Sequence, residues 1–297
     1  MLSREKMPKA PQQNNLTFDE LISDEAGFNS LSKILLDRTG IFMDPSEKNF
    51  SLMSNRLHKV LKKYNCSSYK ELISLIEIGS NEVTNEFLEV LTTNTTHFFR
   101  EKEHFQFLKQ NLPKIEENLL KEKRKDIKVW CAASSSGEEP YTILMILNEY
   151  FSRSKNISIK IQATDLNTQV LEKAKLGIYK KEISEHISSD LILKYFEESS
   201  KIPADSYQVK ENYRNMIDFF KFNLKSEVYK FPYKFDLIFC RNVLIYFPQK
   251  VVEDTVEKLA SCLTKDGYLF IGHSEAMIGN KHKLKSVIPA IYKLNNK

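Results

Sequence analysis

Six short apolar runs, KVWCAA, SIKIQAT, IDFFKFNL, FDLIFC, YLFIG and AIYKLN, fill the second part of this chain. Helical patterns begin between them near Glu138, Thr168 and Pro248. Alternation of strand with helix constrains the fold strongly, because consecutive parallel strands need a crossover and a helix is the usual one. Runs apolar on both sides of the pleat demand cover on both faces of the sheet. The expected fold is α/β, a doubly wound parallel sheet. Between Gly177 and Met216 the alternation lapses into polar sequence, which reads as a small insertion with short strands of its own, about residues 178–216.

The residues before this region follow a different period. Phe28, Leu31, Ile34 and Leu35 share one helical face, and Gly40 is placed to end that helix. Phe50, Met53, Leu57, Val60, Leu61 and Tyr64 make the apolar stripe of a second helix, with Arg56, Lys59 and Lys63 opposite. Two more helices are expected around Leu72–Ile76 and Phe87–Leu91. The chain therefore divides into a disordered arm (1–17), an all-helical N-terminal domain (18–91), a linker helix (92–126) and the α/β domain (127–297).

Composition narrows the function classes. Basic residues exceed acidic ones by five, far from the charge blocks of nucleic-acid-binding tails. Cys66, Cys131, Cys240 and Cys262 are scattered without metal-ligand spacing and read as reduced core residues. His97 and His104 are seven apart, but the sequence offers them no acidic or cysteine partner, so no metal site is expected. No apolar run approaches the roughly 18 residues of a membrane span, and the chain reads as cytoplasmic.

In an open α/β sheet the ligand lies beyond the carboxyl ends of the strands, where strand order reverses. The turn after the first strand, AASSSGEEPYTI, holds one glycine, Gly137, where a dinucleotide loop has three. Glu138 and Glu139 stand where a phosphate would sit. A helix N-terminus attracts anions, so this acidity suits a ligand that carries its own cations. S-adenosylmethionine has two, an ammonium and a sulfonium, and no phosphate. Asp165, closing the second run, is placed to accept hydrogen bonds from a ribose diol.

Five motifs follow in order: NTTHFFRE (Asn94 to Glu101), AASSSGEEPYTI (Ala132 to Ile143), ATDLN (Ala163 to Asn167), FDLIFCRNVLIYF (Phe235 to Phe247) and DGYLFIGHSE (Asp266 to Glu275). Together they resemble the CheR family of chemotaxis receptor glutamate methyltransferases. The likeness runs from about residue 18 to the end. It implies a Rossmann-like methyltransferase domain with a β-subdomain insertion after an all-α domain. It also implies methyl transfer from S-adenosylmethionine to glutamate carboxylates of methyl-accepting chemotaxis receptors, giving glutamate methyl esters and S-adenosylhomocysteine.

By the same resemblance, Asn94, Thr96 and Arg100 contact the cofactor, with Arg100 also facing the reacting carboxylate. Glu138 meets the methionine ammonium, with Glu139 a second candidate. Asp165 takes the ribose, Asn223 and Leu224 neighbour the adenine, Arg241 and Asn242 line the cleft, and Tyr246 sits by the methyl group. Arg100 and Tyr246 are the expected catalytic residues; His273 matches the family without an assignable role.

Arg56, Lys59, Lys62 and Lys63 lie on a helix resembling the family's receptor-facing one and would meet the acidic helices of the receptor's cytoplasmic domain. The insertion resembles a β-subdomain that in some members grips a receptor tail, but FEESSKIPADSYQ lacks the glycines of tail-binding members. A monomer is expected, without nucleic acid or membrane insertion. The alternatives are a non-catalytic scaffold and a nucleic-acid methyltransferase; the Pro-Pro pair usual for base methylation is missing.

Overall fold

A computed structural model describes residues 21, 23–152, 157–275 and 283–295, so the arm expected at 1–17 lies outside the described residues. The chain forms two compact units. One runs to Asp37 and resumes over Met43–Leu91; the other takes Arg38–Phe42 and everything from Thr92 onward.

The first unit is helical. Its elements are α1 (Glu25–Thr39), α2 (Glu47–Lys63), α3 (Tyr69–Glu77) and α4 (Asn81–Leu91). Gly40 follows α1 in the left-handed region, with φ +82°, a conformation that glycine adopts freely because it has no Cβ to clash. On α2 the stripe Met53, Leu57, Val60 and Leu61 is buried, while Phe50 and Tyr64 at its two ends are half-covered. Helix α2 packs against α4, and Ser54 Oγ lies 2.9 Å from Tyr69 OH within the core. The basic face is partly committed. Arg56 Nη1 donates to the Leu91 carbonyl at 2.8 Å, and Lys63 Nζ meets Glu86 Oε2 at 2.5 Å, whereas Lys59 and Lys62 are exposed.

The second unit is built on a seven-stranded sheet. Its strands are β1 (Asp126–Ala132), β2 (Ser158–Asp165), β6 (Ile217–Lys221), β7 (Phe235–Cys240), β8 (Leu263–Ile271), β9 (Leu284–Ile288) and β10 (Ile291–Leu294). The order is β6-β2-β1-β7-β8-β10-β9. The first five are parallel. Strand β10 runs antiparallel to both β8 and β9, so the C-terminal edge departs from the all-parallel sheet expected, and β9, an edge strand exposed along most of its length, was not among the strands expected.

Alternation along β1 shows why both faces need cover. Ile127, Val129 and Cys131 join one core cluster, and Trp130 and Ala132 the other. The first face is covered by α6 (Glu138–Phe151) and by α5 (Lys102–Lys121), whose Phe105, Leu108, Leu112, Ile115 and Leu119 are buried there. The segment expected as a linker is thus part of the sheet's own packing; its apolar spacing alone could not say which domain it would cover. The opposite face is closed by Val252, Val256 and Leu259 of α10 (Gln249–Ser261).

Helix α7 (Thr168–Leu176) leads into the insertion. There β3 (Ile178–Lys180), β4 (Phe196–Glu197) and β5 (Ser206–Val209) form an antiparallel sheet in the order β3-β5-β4. The short helices α8 (Ser189–Tyr195) and α9 (Glu211–Arg214) flank it. Tyr179, Tyr195, Phe196 and Val209 bury into the main core, so the insertion has no separate core of its own.

Candidate active site

Strand order reverses between β1 and β7, and the residues just past both strand ends make one cleft. The turn after β1 is backbone-strained in a specific pattern: Ala133 (φ 56°), Ser135 (φ 49°) and Gly137 (φ 99°) are all left-handed. A Cβ on Gly137 would stand 2.8 Å from the Tyr179 hydroxyl and 2.9 Å from Ala174 Cβ, which is why this one glycine is required. Left-handed Ala133 and Ser135 each cost on the order of 1 kcal/mol and persist only if neighbours hold them.

Asp165 supplies much of that hold. Its Oδ2 accepts from the Ser135 amide at 2.9 Å and its Oδ1 from the Asn167 amide at 2.9 Å. The Asn167 side chain then caps α7. Ser135 Oγ donates to the Asn94 carbonyl at 2.9 Å, tying the TTNTT segment to the same turn. Burial pushes the Asp165 carboxyl above the usual range, and its backbone donors pull the other way.

A second cluster is centred on Arg241, which follows β7. Its side chain is 1% exposed. Nη1 donates to Glu139 Oε2, and Nη2 donates to the Arg100 carbonyl at 2.6 Å and to Glu101 Oε2 at 3.0 Å. Burial works against the guanidinium charge, but Glu139 and Glu101 more than offset it and hold the group protonated. Asn242, left-handed at φ 58°, donates from Nδ2 to Glu101 Oε1 at 3.0 Å.

Both clusters open onto one cleft, with Ser135 and Asp165 on one side and Glu139 and Arg241 on the other. Of the residues expected at the site, Asn94, Thr96, Arg100, Asp165, Asn223, Leu224, Arg241, Asn242 and Tyr246 line it. Glu138 does not. It turns to the Ser136 hydroxyl, at 3.0 and 2.8 Å, and Glu139 is the carboxylate that reaches the cleft. Adjacent residues on a helix point about 100° apart, and here the register of α6 turns Glu139 to the cleft. Arg56, Lys59, Lys62 and Lys63 belong to the other unit.

Sequence reasoning missed Thr39 and Ile41, which line the cleft from far upstream, and Phe222 and Phe247, which with Val243 give it apolar walls. Phe247 closes a motif that was recognised and Phe222 lies within the third apolar run, while Thr39 and Ile41 carry no local signal. Asn223 is held by its own contacts, with Nδ2 donating to the Arg38 carbonyl at 2.7 Å.

The histidines also differ from expectation. His97 lies before α5 and stacks on His186 at 4.7 Å between ring centroids, while His104 is buried inside α5. The acidic neighbour is Glu101, three residues earlier in the chain, whose Oε2 lies 3.5 Å from His104 Nδ1, and the distant His273 lies beside it. Both Glu101 oxygens are already taken by Arg241 and Asn242, and that guanidinium would repel a dication. Burial and then the charge of Arg241 push the His104 pKa down to about 3, keeping the ring neutral.

The arrangement suits a ligand with positive groups, a ribose diol and a flat apolar ring. Glu139 and Asp165 provide the acids, and Phe222, Leu224, Val243 and Phe247 the apolar walls. A family model described as "CheR methyltransferase, SAM binding domain" matches residues 94–292. A chemotaxis protein methyltransferase of Borreliella burgdorferi is 41% identical over 284 residues, covering 95% of this chain and 96% of that protein. Its namesake in Escherichia coli is 33% identical, covering 86% of each chain. Chemotaxis protein methyltransferase 2 of Pseudomonas aeruginosa is 31% identical, covering 89% of this chain and 91% of its own.

Proposed function

The chain belongs to the CheR family of S-adenosylmethionine-dependent chemotaxis methyltransferases, and on that premise we propose that it esterifies glutamate side chains on the cytoplasmic helices of chemotaxis receptors. The observation that carries this reading is the charge layout of the cleft: acids at the helix N-terminus and strand end, and Arg100 lining the same cleft. Two negative groups would hold a cationic cofactor, and a cation beside them would receive an anionic acceptor.

When bound, S-adenosylmethionine supplies an electrophilic methyl group: the carboxylate oxygen forms a bond to it, the sulfur–methyl bond breaks, and neutral S-adenosylhomocysteine is left. The acceptor needs no general base, since a glutamate of ordinary pKa, about 4.3, is already ionised at neutral pH. The protein's task is alignment and exclusion of water. In this reading Asp165 accepts from the ribose hydroxyls and Glu139, in place of Glu138, faces the ammonium. Asn94, Thr96, Asn223, Leu224 and Asn242 shape the remaining contacts. Arg100 offsets the incoming carboxylate, and Tyr246 orients it beside the methyl group.

Receptor recognition falls to the exposed lysines of α2. Lys59 and Lys62 would attract an acidic helix, while Arg56 and Lys63 already serve contacts within their own unit. Among the described residues no helix is long and apolar enough to cross a membrane, so a membrane receptor would be met at its cytoplasmic part.

The deciding experiment is transfer of tritiated methyl from S-adenosylmethionine to receptor cytoplasmic domains of the same organism, followed by mild base. Label that leaves as volatile methanol identifies a carboxyl ester. Label that stays through base would move the acceptor to nitrogen, and cofactor binding without receptor labelling would reopen the substrate.

A further inference from the structure

Beyond the cleft residues, we propose that Glu275 is a positioning residue for methyl transfer, because its one carboxylate fixes the backbone that carries Asn242 and Tyr246. Glu275 closes a short 3₁₀ turn, His273–Glu275, directly after β8. It is 6% exposed. Its Oε2 accepts from the Gly272 amide at 2.5 Å and the Asn242 amide at 3.0 Å. Its Oε1 accepts from the Leu244 amide at 2.7 Å and the Ile245 amide at 3.2 Å.

All four partners are backbone amides, and three of them belong to the segment that runs from the end of β7 to Tyr246. Strands β7 and β8 are paired, with Cys240 opposite Ile271, so the carboxylate staples together two strand ends at the rim of the cleft. The close approach is built in. A Cβ on Gly272 would stand 2.7 Å from Glu275 Oε2 and 2.7 Å from Asn242 Nδ2.

The chemistry requires a carboxylate. Two oxygens offer about four lone pairs, matched here by four donors. An amide in the same place would offer one oxygen and turn an NH₂ group toward N–H donors, leaving two amides unsatisfied in a buried site. The held segment includes Asn242 in its left-handed conformation and ends at Tyr246, whose carbonyl in turn accepts from the Phe42 amide at 2.9 Å. Tyr246 is thereby fixed from both sides. A displacement of about 1 Å at a positioned group can cost on the order of 100-fold in rate.

The proposal rests on methyl transfer at this cleft, and the test separates the two. Glu275→Gln and Gly272→Ala are compared with the parent and with Val256→Ala, a core variant on the buried face of α10. The measurements are kcat and KM for receptor methylation, Kd for S-adenosylhomocysteine and amide hydrogen exchange. Both loop variants are expected to lose about tenfold or more in kcat while Kd stays within about threefold. Val256→Ala should lose stability and keep kcat per folded molecule. In the parent, the Leu244 and Ile245 amides should be protected as strongly as those of β7, a reading independent of whether a variant folds. A folded Glu275→Gln with kcat within twofold of the parent, or parent loop amides that exchange like open coil, would overturn the role. A parent that methylates no receptor overturns the functional reading instead.

Discussion

Arg241 and Glu139 form an ion pair inside the second unit, the guanidinium sealed from solvent and the carboxylate at the cleft wall. Glu101 sits on the other side of the same guanidinium, so one cation holds two acids from different elements.

Removing that cation should be costly. Breaking a buried pair from one side leaves an uncompensated charge, worth about 3–5 kcal/mol. Arg241→Met is expected to lower unfolding free energy by that order in urea at neutral pH, and Glu101→Gln with Glu139→Gln should restore part of it. A loss below about 1 kcal/mol would show that the pair adds little.

Asp165 bridges the turn after β1 and the cap of α7 while facing the cleft. Asp165→Asn keeps the shape but removes a charge and one acceptor. Since a hydrogen bond to a charged group contributes about 1.5–3 kcal/mol, calorimetric Kd for S-adenosylhomocysteine should rise at least tenfold. Unchanged affinity would mean that Asp165 only shapes the backbone.

The α2 lysines can be separated by their contacts. Lys59→Glu with Lys62→Glu should raise the receptor KM about fivefold or more and leave cofactor affinity alone, an effect that shrinks with added salt. Lys63→Glu would chiefly repel Glu86 and Glu82. Equal KM values for the Lys59/Lys62 variant and the parent would remove α2 from receptor recognition.

His104 gives a pH signature. Its folded pKa, about 3, lies below the ordinary histidine value of 6.5, so the unfolded chain takes up the proton first. The associated stability is complete above 6.5 and is lost as pH falls toward 3, amounting to about 2 kcal/mol by pH 5. His104→Phe should flatten the decline in thermal midpoint between pH 7 and pH 5. An unaltered slope would place the titration elsewhere.

The alternation of apolar runs and helices was enough to read the α/β unit, because strand and helix periods are local properties. Part of the cleft was legible for the same reason: strand ends are marked in sequence, and six of the expected residues that line it, Asp165, Asn223, Leu224, Arg241, Asn242 and Tyr246, lie at or just after those ends, whereas Asn94, Thr96 and Arg100 rested on the family resemblance. Glu138 and Glu139 could not be told apart, since that choice depends on how α6 is rotated against the sheet. Thr39 and Ile41 were invisible because only chain folding brings them to a cleft formed by distant segments.

What the sequence determined by itself was the set of elements and the motifs that end them, each carried by a few consecutive residues. Tertiary structure decided which side chains spend their polar groups on one another. Arg241 between two acids, Glu275 on four amides and Lys63 on Glu86 all join residues that the linear order keeps apart. Burial forces the first two pairings, since a polar group out of water must find a partner wherever the packed chain supplies one; the third is an exposed ion pair.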